Sequence, residues 1–363
     1  MSVESRLSAL RIRIAEEGAD ALAVIAIANV AYVTGFSGVF DEEPAHVALV
    51  TADDAVVFTD SRFVTSLAAA AAESPWRVEL VSGDVGEAAC AAGSAVGVKR
   101  LGLETSLPHS RFLKLSDAFN GDVVPATGWV EELRAVKDAD EIATIEAAQA
   151  VTDRAFDHLV EHVLRAGVTE REIALELEFF MRREGSDGVA FAPIVAGGPN
   201  SALPHATPGD RALESGDFVV LDFGARVHGY CADMTRTVVA GTPSAEQRAI
   251  YAAVLGANLA GIAAVAAGRL GCDIAAAARN VIEDAGYGGY FGHGLGHGVG
   301  LQVHELPSVG PRASSAVVPG NVITVEPGIY IPGMGGVRIE DLAVVDEHGA
   351  RVLTRSAKEL LEV

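Results

Sequence analysis

A chain of 363 residues, 50% of them hydrophobic, is long enough for two domains with sizeable cores. Its formal net charge of −22 argues against nucleic acid and anionic membranes as partners. The three cysteines (Cys90, Cys231, Cys272) are odd in number, widely spaced and form no CxxC pair. No disulfide framework is expected, and a reducing cytoplasm fits.

The opening MSVESRLSALRIR has charges but no signal-peptide core. Leu7, Leu10 and Ile14 share one stripe, so a helix is predicted over Ser5–Glu17 with Gly18 as its stop. The apolar run Ala19–Val33, broken by Asp20 and Asn29, is too short for a ~20-residue membrane span and reads as a buried strand. Short strands at Ala21–Ile27, Val47–Val50, Val56–Thr59, Val78–Val81, Leu101–Leu103 and Val123–Val124 alternate with helical stretches near Ser61–Ala72, Asp84–Ala92 and Pro108–Phe119. That alternation makes residues 1–128 a small α/β domain.

A second domain, residues 129–363, is expected to be α+β. It opens with one long helix that continues to Gly167. Thr169 with Glu172, and Ser244 with Gln247, are capping boxes for helices ending near Arg183 and Ala267, and another helix covers Ile274–Asp284. Between and after these helices lie two hairpins. In DFVVLDFGARVHGYCADMTRTVV, Asp222 and Asp233 are equidistant from a turn centred between Val227 and His228. In NVITVEPGIYIPGMGGVRIEDLAVV, Glu326 and Glu340 are equidistant from Gly333. Symmetric registers would set each pair of carboxylates face to face, ~5 Å apart, where like charges repel. Cations are the simplest compensation.

FGHGLGHGVGLQVHE, carrying His293, His297 and His304, separates the hairpins. Its alternating glycines disfavour helix, so HGLGH is not the helical histidine pair of a zincin, and it lacks that motif's glutamate. His304 is expected on a strand, VGLQVHE. His205 sits in the loop GGPNSALPHATPGD. Arg338, two residues before Glu340, shares its strand face and suits a role holding carboxylates in place. Cys231 lies two residues from Asp233 and reads as a small core residue. Four carboxylates and one histidine make a plausible site for two hard or borderline divalent ions, manganese first, with cobalt and zinc as alternatives.

The set Asp222, Asp233, His297, Glu326 and Glu340, in LDFGARVHGYCADMTRT, GHGLGHGVGLQVHE, EPGIY and GVRIED, resembles the five-ligand pattern of the pita-bread metallopeptidases. NVAYVTGFSG (Asn29–Gly38) is similar to the prolidase and aminopeptidase P branch, so the likeness spans nearly the whole chain. The resemblance implies a curved antiparallel sheet behind a creatinase-like N-terminal domain, and two divalent metal ions held by those five residues. It implies that Glu326 also carries protons, that His205 and His304 serve catalysis without ligating, and that His293 lines the substrate pocket. The implied activity is cleavage of the bond between an N-terminal residue and proline, as an aminopeptidase on longer peptides or, alternatively, a dipeptidase. A homodimer is the implied assembly. Creatinase-like hydrolysis or a non-enzymatic binding role would go with eroded ligands, and none is eroded here.

Overall fold

The computed structural model describes residues 2–36, 38–40 and 43–363. The chain divides into two compact units, Met1–Arg134 and Ala135–Val363. The division falls later than position 128 because Trp129 packs against Gly102, while Arg134 and Glu131 both bond to the buried Asn29.

The first unit holds helices α1 (Val3–Glu16), α2 (Ile27–Thr34), α3 (Val64–Ala71), α4 (Val85–Ala95), α5 (His109–Ala118) and most of α6 (Glu131–Ala135). Its strands are β1 (Ala21–Val24), β2 (His46–Thr51), β3 (Ala55–Thr59), β4 (Arg77–Leu80), β5 (Arg100–Glu104) and β6 (Asp122–Ala126). They form one mixed sheet in the order β4-β3-β2-β1-β5-β6. The apolar run expected as a single strand is a strand and then a helix. Glu104 accepts the backbone N–H groups of Ile25 and Ala26 just before α2, where a ladder would otherwise continue.

The second unit begins with α7 (Ala139–His158), one π-helical turn (Leu159–Val163) and α8 (Glu170–Arg183). The expected long helix is broken. Asp138 caps α7 through a capping box with Glu141, and its extended backbone separates α6 from α7. Strands β7 (Gly188–Val189), β8 (Ile194–Gly197), β9 (Phe218–Phe223), β10 (Ala225–Val227), β11 (Tyr230–Cys231) and β12 (Met234–Val239) precede α9 (Ala245–Ala264) and α10 (Gly271–Asp284). Then come β13 (Gly296–Gly298), β14 (Glu305–Val309), β15 (Val322–Val325), β16 (Gly328–Ile331), β17 (Gly335–Arg338), β18 (Asp341–Val345) and β19 (Ala350–Val352). Antiparallel sheets β12-β9-β8 and β14-β13-β15-β18-β19 are the main ones, and Glu340 N–H donates to Thr235 O at 3.0 Å between them. Helices α9 and α10 cover this framework with an apolar core that includes Val254, Ile274, Ile323 and Val325. This unit is α+β. His304 lies outside a strand, in a bend ahead of β14.

Candidate metal centre

The two hairpins differ in register. In the second, Ile331 pairs with Gly335, Gly328 with Arg338, and Val325 with Asp341. Glu326 and Glu340 therefore occupy matching places in the break between β15–β18 and β16–β17. In the first, the turn is His228–Gly229, both with positive φ (47° and 82°). That moves the centre one residue later than expected, so Asp222 pairs with Thr235 instead of facing Asp233. Asp233 is two residues along from Thr235 and still projects to the Asp222 face, diagonally. It sits at a gap in β11–β12 where the strands close tightly. A Cβ on Gly224 would come within 1.8 Å of Ala232 O, so only glycine fits there.

His297 is presented by β13, which approaches its neighbour closely. A Cβ on Gly296 would lie 2.0 Å from Thr324 O. The His297 Nδ1 is 3.1 Å from Gly298 O, and a carbonyl can only accept, so Nδ1 carries the proton. Nε2 then faces Glu326 Oε1 at 3.2 Å and Asp233 Oδ2 at 3.6 Å. Asp233, His297 and Glu340 each offer a ligand atom within 4.8 Å of the others.

The cavity in front of these groups has a volume of about 540 Å³. All nine residues singled out from the sequence line it: His205, Asp222, Asp233, His293, His297, His304, Glu326, Arg338 and Glu340. Phe191, Ala192, Pro193, Ile194 and Val303 supply apolar wall. Cys231 is fully buried among Ala190, Val299 and Leu342 and does not line the cavity.

Burial, and then neighbouring carboxylates, push Asp233 and Glu340 well above the usual carboxylate range. Burial also raises Asp222, against the pull of Arg338. Glu326 is the exception. Burial would raise it too, but the hydrogen bond and charge of a protonated His297 hold it low; burial would lower His297, and the same contact raises it instead. His304 packs edge-on to His297 with ring centroids 4.2 Å apart, and burial together with that neighbour lowers its pKa.

Three supporting groups escaped the sequence reading. Tyr330 accepts from Arg338 Nη1 at 2.7 Å and meets His293 Nε2 at 3.1 Å. Since His293 Nδ1 donates to Gly294 O, the chain of donors runs Arg338 to Tyr330 to His293. Thr235 donates to Glu340 Oε2 at 2.7 Å and accepts from Arg338 Nε at 2.9 Å. Thr324 accepts from His297 N–H and reaches Glu326 Oε1 at 3.3 Å. Tyr330 was visible as the last residue of EPGIY. Nothing in the local sequence distinguishes the two threonines from ordinary strand residues.

Fold and cavity together define a two-unit chain with a carboxylate-rich hydrolase site in its second unit. Residues 143–347 match the model of metallopeptidase family M24, and residues 6–136 match that of the creatinase/prolidase N-terminal domain. The chain belongs to metallopeptidase family M24 and has its pita-bread fold. An uncharacterised peptidase of Bacillus subtilis (strain 168) is 40% identical over 98% of this chain and 99% of its own. An Xaa-Pro dipeptidase of Pyrococcus horikoshii is 40% identical over 73% of this chain and 76% of its own. Among solved structures, an Xaa-Pro dipeptidase from Bacillus anthracis superposes with TM-score 0.94 at 38% identity, covering 100% of both chains. An X-Pro aminopeptidase from Thermotoga maritima gives 0.85 at 38% identity, covering 95% of this chain and 98% of that one. No helix among the described residues is long and apolar enough to cross a membrane.

Proposed function

We propose that the second unit hydrolyses the bond between an N-terminal residue and a following proline, acting chiefly as an Xaa-Pro aminopeptidase on peptides longer than two residues. The observation that carries this reading is the unbalanced charge of the cavity. Asp222, Asp233, Glu326 and Glu340 converge there, while Asp222 Oδ1 is buried with no hydrogen-bond partner among the described residues. Buried carboxylates without partners are costly, and two divalent cations would offset four of them. The donor set fits such ions: four carboxylates and the deprotonated Nε2 of His297, all oxygen or imidazole, suit manganese, with cobalt and zinc next. Asp222, Asp233, His297, Glu326 and Glu340 would hold them.

Bound there, the ions supply Lewis acidity for a water and for the scissile carbonyl. Glu326, ionised as a ligating carboxylate must be, would accept the proton of the attacking water. His304, kept neutral, donates a hydrogen bond as negative charge builds on the carbonyl oxygen. His205 serves the leaving nitrogen. Arg338 holds Asp222 with Tyr330 and Thr235 at fixed angles, which lets the carboxylates keep their orientation. The nitrogen of proline has no N–H, so the site must recognise ring shape, and the wall from Phe191 to Ile194 with Val303 provides apolar surface for it.

An Xaa-Pro dipeptidase is the second reading, favoured by the names of the Pyrococcus and Bacillus anthracis relatives. A homodimer in a reducing cytoplasm is in keeping with the resemblance and with the free thiols of Cys90, Cys231 and Cys272. The test is hydrolysis of Xaa-Pro, Xaa-Pro-Yaa and Xaa-Ala peptides by metal-stripped protein with manganese restored. Equal cleavage of the proline and alanine series, or full activity in chelator, would overturn the proposal.

A further inference from the structure

At the two glutamates the second hairpin stops being a ladder. Pairing runs as far as Val325 with Asp341, resumes at Gly328 with Arg338, and leaves Glu326 and Glu340 in the gap. Backbone carbonyls beside such a gap need other partners. Asn258, on α9 and fully buried, supplies them: its Nδ2 donates to Val325 O at 3.0 Å and to Ile339 O at 3.3 Å. These are the carbonyls immediately before Glu326 and before Glu340. One side-chain amide thus bridges both strands from behind, at the level of the site.

The amide is itself held. Its Oδ1 accepts from Lys358 Nζ at 3.2 Å, and that ammonium lies 2.5 Å from Asp341 Oδ2. Asp341 Oδ1 in turn accepts from Arg236 Nη2 at 2.9 Å, while Arg236 Nη1 donates to Glu340 O at 2.5 Å. The carbonyls on both sides of Glu340 are therefore set by side chains. Helix α9 can come this close because Gly261, one turn on from Asn258, has no side chain. A Cβ there would meet Val325 Cγ1 at 2.8 Å. Asparagine is a poor residue for a helix interior and an expensive one to bury, so an apolar residue would suit this core better unless the amide had a task.

We infer that Asn258 is a positioning residue for Glu326 and Glu340, a cross-strand clasp that sets their separation and hence the divalent-ion affinity of the site. This rests on the metal reading above. The test uses the full chain, metal-stripped and titrated with manganese chloride by calorimetry, alongside urea unfolding and the kcat and KM for an Xaa-Pro peptide. Asn258→Ala and the similarly sized Asn258→Leu should weaken manganese binding by about 10–100-fold, the usual scale for groups that orient ligands. The fall in activity should lie in kcat more than in KM. Val254→Ala, on the same helix and in the same core, should lower urea stability with manganese affinity unchanged. Should the first two variants not accumulate folded, Asn258→Ser, with one donor for two carbonyls, is read in the same way. Wild-type manganese affinity in folded Asn258 variants overturns the inference and leaves the function intact. Failure of the unmutated protein to bind manganese, cobalt or zinc overturns both.

Discussion

Arg338 Nη2 donates to Asp222 Oδ2 at 2.6 Å, although both groups are almost wholly enclosed. The same guanidinium reaches Tyr330, Thr235 and Pro204 O, so its planar fork is used on every side. Burial alone would lower its pKa, yet Tyr330 and the carboxylates hold it well above the usual value. Removing one partner of a buried pair leaves the other charge uncompensated, typically at ~3–5 kcal/mol. Arg338→Ala should lose about that much stability, and Arg338→Lys should also fall short because an ammonium cannot reproduce the fork. Urea unfolding with and without manganese measures it. A wild-type midpoint for Arg338→Ala would show that Asp222 is balanced by something else.

Asp233→Ala should behave oppositely in metal-free protein. Burial and the proximity of Glu340, Asp222 and Glu326 make an ionised Asp233 unfavourable there. Truncating it relieves repulsion, so stability in chelator at pH 8 should equal or exceed that of the unmutated chain, while manganese uptake and peptide hydrolysis collapse. A variant markedly less stable in chelator, or one that retains full manganese, contradicts this account.

Glu170 ties down the His205 loop. It is fully buried; Oε1 accepts from Gly197 N and Asn200 Nδ2, and Oε2 from Gly209 N, at 2.8–3.0 Å. Both ends of residues 197–209 are thus held by one carboxylate. Glu170→Ala should lower kcat by about 10²-fold, the scale of losing a positioned catalytic group, without changing bound metal. The discriminating measurement is a double-mutant cycle. In a His205→Ala background the further loss should nearly vanish, whereas an undiminished loss would mean that Glu170 acts elsewhere.

Much of this was legible because turn chemistry and strand period are local. PGMGG centres the second hairpin on Gly333, and the observed pairs are symmetric about it even across the break at the glutamates. The first hairpin turns one position later than the sequence spacing suggests, because His228 takes a left-handed conformation that its side chain does not announce. The even two-residue offset in pairing preserved the face, which is why Asp222 and Asp233 were still placed together. The helix break at Asp138 carries neither Gly nor Pro, so apolar periodicity ran through it unmarked. Asn258, Thr235 and Arg236 were illegible for a different reason. Their partners include backbone carbonyls and carboxylates 81 to 105 residues away, set by tertiary packing alone.

The first unit carries its own pH dependence. Glu104 is 3% exposed, and burial raises its pKa to about 7 despite the N–H groups of Ala26 and Ile25 and the amide of Asn29. A carboxyl that titrates higher when folded binds more protons in the native state. Its favourable effect is complete below about pH 4.5 and is lost as pH rises through 7. The loss should be on the order of 3 kcal/mol. Trp76 and Trp129, the only tryptophans, are both buried in this unit, so their fluorescence follows its unfolding. Glu104→Gln should flatten the slope between pH 4.5 and 7, and an unchanged slope would assign it to other groups.

The last prediction concerns peptide length. A dipeptidase must hold the carboxylate of proline itself, and drawing that group from water without a fixed cation is costly. Arg338 is the one arginine or lysine lining the described cavity, and its Nη1, Nη2 and Nε are already engaged. Arg312, in the turn that follows β14, does not line it either. Burial lowers the pKa of His293 and of His304, so neither brings a full charge at neutral pH. A chain extended beyond proline has no carboxylate at that point and avoids the cost. Xaa-Pro-Yaa peptides should therefore be cleaved with higher kcat/KM than the corresponding Xaa-Pro dipeptides, both with manganese at pH 7.5. A preference for Xaa-Pro of ~10-fold or more, worth about 1.4 kcal/mol in the transition state, would place this enzyme with the dipeptidases and require a clamp outside the residues named here.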